Sequence, residues 1–181
     1  MRETKVITGK VRASYVNVFE TIHNEMSKRD EYSMTILIPK SEVETVRLIK
    51  EACKAAIEKK WGAKPPQRLR NPLRDADAEA SAKGVDPAPG YAEHFFVKLK
   101  TYLKPGIVTR ENKPVTDTEA FMSGDYCRVS ITAAAYDTAG NAGVSFWLNN
   151  IQVLERGEPL GRSRAEDEFG NEYAREDCPF D

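Results

Sequence analysis

Phe95-Phe96-Val97-Lys98-Leu99-Lys100-Thr101-Tyr102-Leu103-Lys104 alternates in its chemistry from one residue to the next. In an extended chain successive side chains point to opposite faces. One face is then Phe95, Val97, Leu99, Thr101 and Leu103, suited to a core. The other is Phe96, Lys98, Lys100, Tyr102 and Lys104, where aromatic rings alternate with ammonium groups. That division predicts a half-buried strand of a mainly β protein rather than a helix.

The flanking sequence extends the same pattern. Residues 126–136 place Cys127, Val129, Ile131, Ala133 and Ala135 on one face and Tyr126, Arg128 and Tyr136 on the other. Residues 144–153 set Val144, Phe146 and Leu148 against Trp147, with a turn at 138–143. Upstream, 10–19 is rich in β-formers, but its apolar phase slips from Val11 and Ala13 to Val16 and Val18, which predicts a bulge near Ser14. A polar connection at 20–30 leads to a strand at 32–38, closed by Pro39. Ser41 and Glu44 have the spacing of a capping box, followed by an apolar stripe of Val46, Ile49, Cys53, Ile57 and Trp61 up to Gly62.

Five main strands, with one prominent helix between the second and third, suit a small Greek-key barrel of the OB type. Residues 1–160 are expected to form that domain. Residues 62–93, with five prolines and no sustained period, are read as a long irregular insertion. Residues 161–181 are read as a flexible, disordered acidic tail that cannot bury enough apolar surface to fold alone.

Charge is divided unevenly along the chain. Residues 165–181 carry seven acids and one base, a balance of −6. The whole chain is −1, so residues 1–164 hold +5. A basic body with an acidic appendage points to a polyanion surface. No hydrophobic block resembles a secretory signal or a membrane span, and a cytoplasmic location without membrane association is expected. The three cysteines show no disulfide or zinc spacing, and with only two histidines no metal or other cofactor is expected.

Alternating aromatics and cations fit unpaired nucleic acid, because bases stack on rings while lysines neutralise phosphates. The candidate DNA-binding set is Phe96, Lys98, Lys100, Tyr102 and Lys104 on one strand and Tyr126, Arg128 and Tyr136 on the next. Trp147, Lys10 and Arg12, with Arg68, Arg70 and Arg74 from the insertion, complete it. Surface lysines on a solvated strand would give part of the same pattern without any ligand. Asp75, Asp77 and Glu79 are acids of the kind that hold magnesium in a nuclease, but an alanine-rich loop supplies no fixed geometry, and a solvated turn is the preferred reading. No catalysis is expected. In the tail, Glu166, Asp167, Glu168, Asp177 and Phe180 are candidate partner-binding residues, and the acids are also candidate competitors for the basic face.

Several blocks carry a resemblance: Thr8-Gly9-Lys10-Val11-Arg12, Pro72-Leu73-Arg74-Asp75, Lys104-Pro105-Gly106-Ile107-Val108, Leu148-Asn149-Asn150-Ile151-Gln152 and Gly157-Glu158-Pro159-Leu160-Gly161. The chain resembles a phage and prophage family of OB-fold single-stranded DNA-binding proteins. The resemblance implies sequence-tolerant binding of single strands, a role in phage DNA replication, recombination or repair, and recruitment of replication or recombination proteins by the acidic end. That end is similar to those of bacterial single-strand-binding proteins, which finish in Pro-Phe, whereas here Asp181 follows Phe180. The sequence is compatible with a homodimer. A structural or adaptor role, with the aromatic face as a protein interface, is the alternative.

Overall fold

The computed structural model describes residues 3–138, 140–160 and 169. Its strands are β1 (Lys5–Ile7), β2 (Val11–Asn24), β3 (Arg29–Pro39), β4 (Arg74–Asp75), β5 (His94–Thr101), β6 (Gly106–Val108), β7 (Tyr126–Thr138) and β8 (Asn141–Glu155). Helix α1 (Val43–Trp61) follows β3, and helix α2 (Ala76–Lys83) follows β4.

Closure can be traced strand by strand. β2 pairs antiparallel with β3, β3 with β5, β7 with β8 and β7 with β2, while β5 and β8 run parallel. The five long strands thus form a ring with no free edge between β2 and β7. This is the expected five-stranded Greek-key barrel, with α1 between the second and third of those strands. Short β1 and β6 extend it along β7 and β8.

The interior follows the alternation. Val11, Ala13, Met34, Ile36, Ile38, Val97, Leu99, Cys127, Val129, Ile131, Phe146 and Leu148 are all buried in one cluster. Helix α1 covers one end of it with Val46, Ile49, Ala52 and Ala56, while Cys53 and Ile57 are half-buried at the margin. Desolvation pushes the Cys127 thiol up to about 12, so it behaves as a small core hydrophobe. Among the described residues no helix is long and apolar enough to cross a membrane.

The bulge falls where the phase slips. Register jumps from Ser14 opposite Thr35 to Asn17 opposite Ser33, and Tyr15 takes a left-handed φ of 49°.

Other expectations are corrected. Residues 20–30 are not a polar connection: β2 and β3 continue as a hairpin arm, with Ile22, His23 and Asn24 opposite Glu31, Asp30 and Arg29. Its alternation is hidden because an arm standing clear of the core has no apolar face. The Ser41 capping box does not form. The cap is Glu42, and it makes no side-chain capping bond. Instead, Thr45 Oγ1 accepts the Gly9 N–H at 2.9 Å, tying the first turn of α1 to the β1–β2 connection.

Nor is 62–93 irregular throughout. It contains β4 and α2, and Asp75 caps α2 by accepting from the N–H groups of Asp77 and Ala78. Leu103 is 81% exposed rather than core, because Thr101 Oγ1 and the Leu103 backbone bond one another at 3.1 and 3.2 Å and turn the chain outward. The expected turn at 138–143 is shorter than read, since β7 reaches Thr138 and β8 begins at Asn141.

Candidate nucleic-acid interface

Strand register lines the outward residues into rows across the barrel surface. Lys100 lies opposite Ser33 on β3 and beside Trp147 on β8, and Trp147 faces Thr132 on β7. One step along, Lys98 lies opposite Thr35, which faces Ser14. The next row is Tyr126, Arg12, Leu37, Phe96 and Arg74, carried by five strands.

The first row holds the most open chemistry. Tyr102 and Trp147 pack with ring centroids 5.3 Å apart and planes at 59°. Arg29 lies over the Tyr102 ring at 3.6 Å, and Lys100 over Trp147 at 5.4 Å. Two rings therefore sit between two cations, in cation–π contact. Lys98, exposed, has no carboxylate partner among the described residues. Lys104 is exposed just beyond β5. Structure thus brings Lys98, Lys100, Tyr102 and Trp147 together, with Lys104 at their margin.

Adjoining them is a groove of about 460 Å³ lined by Tyr15, Thr35, Arg74, Tyr91, Phe96 and Lys98, among others. Phe96 points outward as its place in the strand requires, but only 9% of it is exposed. Its ring meets Tyr91 edge-on at 5.6 Å, Arg74 covers it at 4.6 Å, and Leu37 and Ala76 complete a small outer cluster. It serves as floor rather than as an open stacking platform. Arg74 also binds Glu79 through Nε and a terminal nitrogen at 3.0 and 2.7 Å.

Seven further candidates lie apart from the groove. Lys10 and Arg12 cover the Tyr126 ring at 4.7 and 5.4 Å. Lys10 pairs with Glu155, and Arg12 donates to the carbonyls of Gly124 and Glu158 at 2.9 and 2.6 Å, so both cations hold the chain together. Arg128 donates to the Thr8 carbonyl at 3.2 Å, beside β1. Tyr136 lies near Gly143, where an added Cβ would approach the Tyr136 hydroxyl and the Arg70 carbonyl to within 2.9 and 2.8 Å. The missing side chain lets residue 70 run beside β8, its N–H reaching the Ala142 carbonyl at 2.9 Å. Arg68 and Arg70 are thereby set against the β7–β8 hairpin. Glu166, Asp167, Glu168, Asp177 and Phe180 lie outside the described residues.

Sequence reading missed Arg29, Tyr15 and Tyr91. Arg29 sits where 20–30 reads as a connection, and Tyr91 where 62–93 reads as irregular. The slipped phase around Ser14 was the available signal for Tyr15, which is 69% exposed at the bulge. Asp75 and Asp77, the acids considered for magnesium, both pair with Lys40 at 2.8 Å. Asp75 also caps α2, and Asp77 accepts the Glu93 N–H. Lys40 holds both carboxyls below their ordinary range, and they raise its own pKa in turn. Among the described residues no group of three acids, histidines or cysteines is placed to hold a metal.

A closed five-stranded barrel with a parallel β5–β8 pair and one basic aromatic outer face defines an OB-fold protein. The family model described as Enterobacter phage Enc34, ssDNA-binding protein, matches residues 4–179, and the chain belongs to that family. The protein p50 of Acyrthosiphon pisum secondary endosymbiont phage 1 is 27% identical over 160 residues, spanning 85% of each chain. In fold the chain is similar to the single-stranded DNA-binding protein of bacteriophage Enc34, solved in complex with ssDNA. The TM-score is 0.73 at 17% identity, over 87% of this chain and 90% of that one. It is also similar to gp2.5, the single-stranded DNA-binding protein encoded by bacteriophage T7, with a TM-score of 0.58 at 17% identity over 92% and 98% of the two chains.

Proposed function

We propose that this chain binds single-stranded DNA without sequence preference and without catalysis, laying the strand across the outer face of β3, β5 and β8. The observation that carries this reading is the run Arg29, Tyr102, Trp147 and Lys100, rings between cations beside an open groove. Bases stack on such rings for about 1–3 kcal/mol each, whatever their identity. Lys98 and Lys104 extend the cationic path for phosphates. Arg68 and Arg70, set against the β7–β8 hairpin apart from that path, supply further cations.

Family membership supports a place in phage DNA replication, recombination or repair in the host cytoplasm. The acidic residues of 165–181 serve a second purpose, recruiting a replication or recombination protein or competing with DNA for the same cations. A homodimer is compatible with this reading.

Titration with fluorescent oligonucleotides of graded length tests it. Affinity should rise with length to a plateau and fall steeply with salt, while equal affinity for duplex would refute it. Trp147→Ala and Tyr102→Ala should each weaken binding by about 1–3 kcal/mol, and the double variant by less than the sum, because the rings touch.

A further inference from the structure

The excess positive charge of the body is not spread evenly over the barrel. Residues 50–70 hold seven lysines and arginines against two acids, Glu51 and Glu58, a balance of +5. That equals the whole excess of residues 1–164, so the rest of the body, the stacking face included, is balanced overall. The two halves of α1 differ in the same way. In the first, Arg47 pairs with both Glu44 and Glu51. In the second half and just beyond it, Lys50, Lys54, Lys59, Lys60 and Lys64 are exposed, and none has a carboxylate partner among the described residues. Lys50 and Lys54, four apart on one helix, repel each other, a cost that a bound polyanion removes.

Folding gathers these cations. Gly62 ends α1, and the chain returns so that Arg70 lines the same cavity, of about 280 Å³, as Lys50, Lys54 and Ile57. The Arg70 guanidinium donates only to the Asn141 side chain, at 3.4 Å, and Arg68 and Arg70 line a polar groove of about 520 Å³ against Asn141 and Ala142. Trp61 lies two turns beyond Lys54 on the same side of the helix, half-buried, with Lys60 Nζ 5.7 Å from its ring centre. The stacking face lies elsewhere. Residue 70 bridges Gly143, four residues before Trp147 on β8 and so about 13 Å from it along the strand.

We infer that the second half of α1 and residues 62–70 form a second site for single-stranded DNA, separate from the stacking face and resting on the strand binding proposed above. Lys54, Lys60, Lys64 and Arg68 hold phosphates, and Trp61 offers its ring to one unpaired base. With one ring instead of two, the site is held chiefly by charge, so it is weaker and more salt-sensitive than the stacking face. One chain then holds two segments of strand at once.

The two tryptophans of the chain report the two surfaces separately. Trp147→Phe leaves Trp61 as the sole indole, and Trp61→Phe leaves Trp147. Each full-length variant is titrated at low salt with a thymidine oligonucleotide of about eight residues, short enough to cover one site. Trp61 fluorescence should change, with a midpoint at least fivefold weaker than that of Trp147, and calorimetry on the parent should count two oligonucleotides per chain. Lys54→Gln/Lys60→Gln/Lys64→Gln, made in each reporter, should weaken the Trp61 response at least tenfold and leave the Trp147 midpoint within twofold, with unchanged far-UV dichroism. A silent Trp61 beside a responding Trp147, or one oligonucleotide per parent chain, would overturn the second site and leave the stacking face standing. Equal weakening of both responses in the lysine variant would show a single site and overturn it too. A responding Trp61 beside a silent Trp147 would uphold this site and refute the stacking face instead.

Discussion

Tyr15 shows how one residue joins fold to surface. A non-glycine residue in the left-handed region costs about 1–2 kcal/mol, and Tyr15 is held there by its neighbours rather than by its own side chain. The Val16 N–H donates to Ser123 Oγ at 3.0 Å, the Ala13 N–H to the Asp125 carbonyl at 2.8 Å, and the Gly124 N–H to the Ala13 carbonyl at 2.7 Å. Gly124 is itself at φ 106°, where any Cβ would meet the Glu158 carbonyl at 2.1 Å. These contacts fix the bulge and leave the Tyr15 ring exposed at the groove. Tyr15→Gly should therefore leave stability within about 1 kcal/mol, since relief of strain offsets the added freedom of the unfolded chain. Affinity for single strands should still fall by about 1–3 kcal/mol, the worth of one stacked base. Paired measurements of thermal unfolding and oligonucleotide binding check both, and undiminished affinity would remove Tyr15 from the strand path.

At the level of elements, legibility followed locality. β5 and β7 were readable because each has a buried and an exposed face, so Val97, Leu99, Val129 and Ile131 repeat every second residue. The open site was readable for the same reason, since Lys98, Lys100, Tyr102 and Trp147 needed only the alternation. Helix α2 was not. Its eight residues carry only Ala76 and Ala80 as buried positions, and its place depends on Lys40, more than thirty residues earlier in the chain. Nothing within 76–83 announces that partner, and Phe96, which alternation alone assigns to solvent, is covered by Arg74, Tyr91 and Ala76, brought to it from the same stretch of chain. The staple also has a pH range. Asp75 and Asp77 are lowered in the folded state, so their contribution is present above their unfolded pKa of about 3.9 and lost as pH falls through the depressed values. Lys40 is raised, so its contribution is present below about 10.4 and lost as pH climbs through its folded value. Carbon-13 titration of the aspartate carboxyls should give midpoints below those of free aspartate for both residues. Lys40→Gln should return them toward ordinary values and speed amide exchange in 76–83 at neutral pH. Midpoints unchanged by that variant would show that Lys40 does not hold the helix.

Across the whole molecule, a net charge of −1 conceals a body of +5 and an end segment of −6. On the proposed reading, DNA phosphates and the segment's carboxylates seek the same cations, and the apparent affinity for DNA is a difference between two electrostatic attractions. Removing residues 165–181 eliminates one of them. The shortened chain should bind single strands severalfold more tightly at about 50 mM salt, where the screening length is near 14 Å and exposed charges still interact. Each phosphate neutralised on a single strand contributes about −0.7 to the slope of log affinity against log salt. In the full chain, salt also loosens the competing segment, which offsets part of that loss. Its slope should accordingly be shallower, and the two affinities should converge as salt approaches about 0.5 M. Parallel slopes with a constant gap would point to steric exclusion instead. Identical affinities throughout would show that the acidic segment does not meet the DNA-binding cations at all.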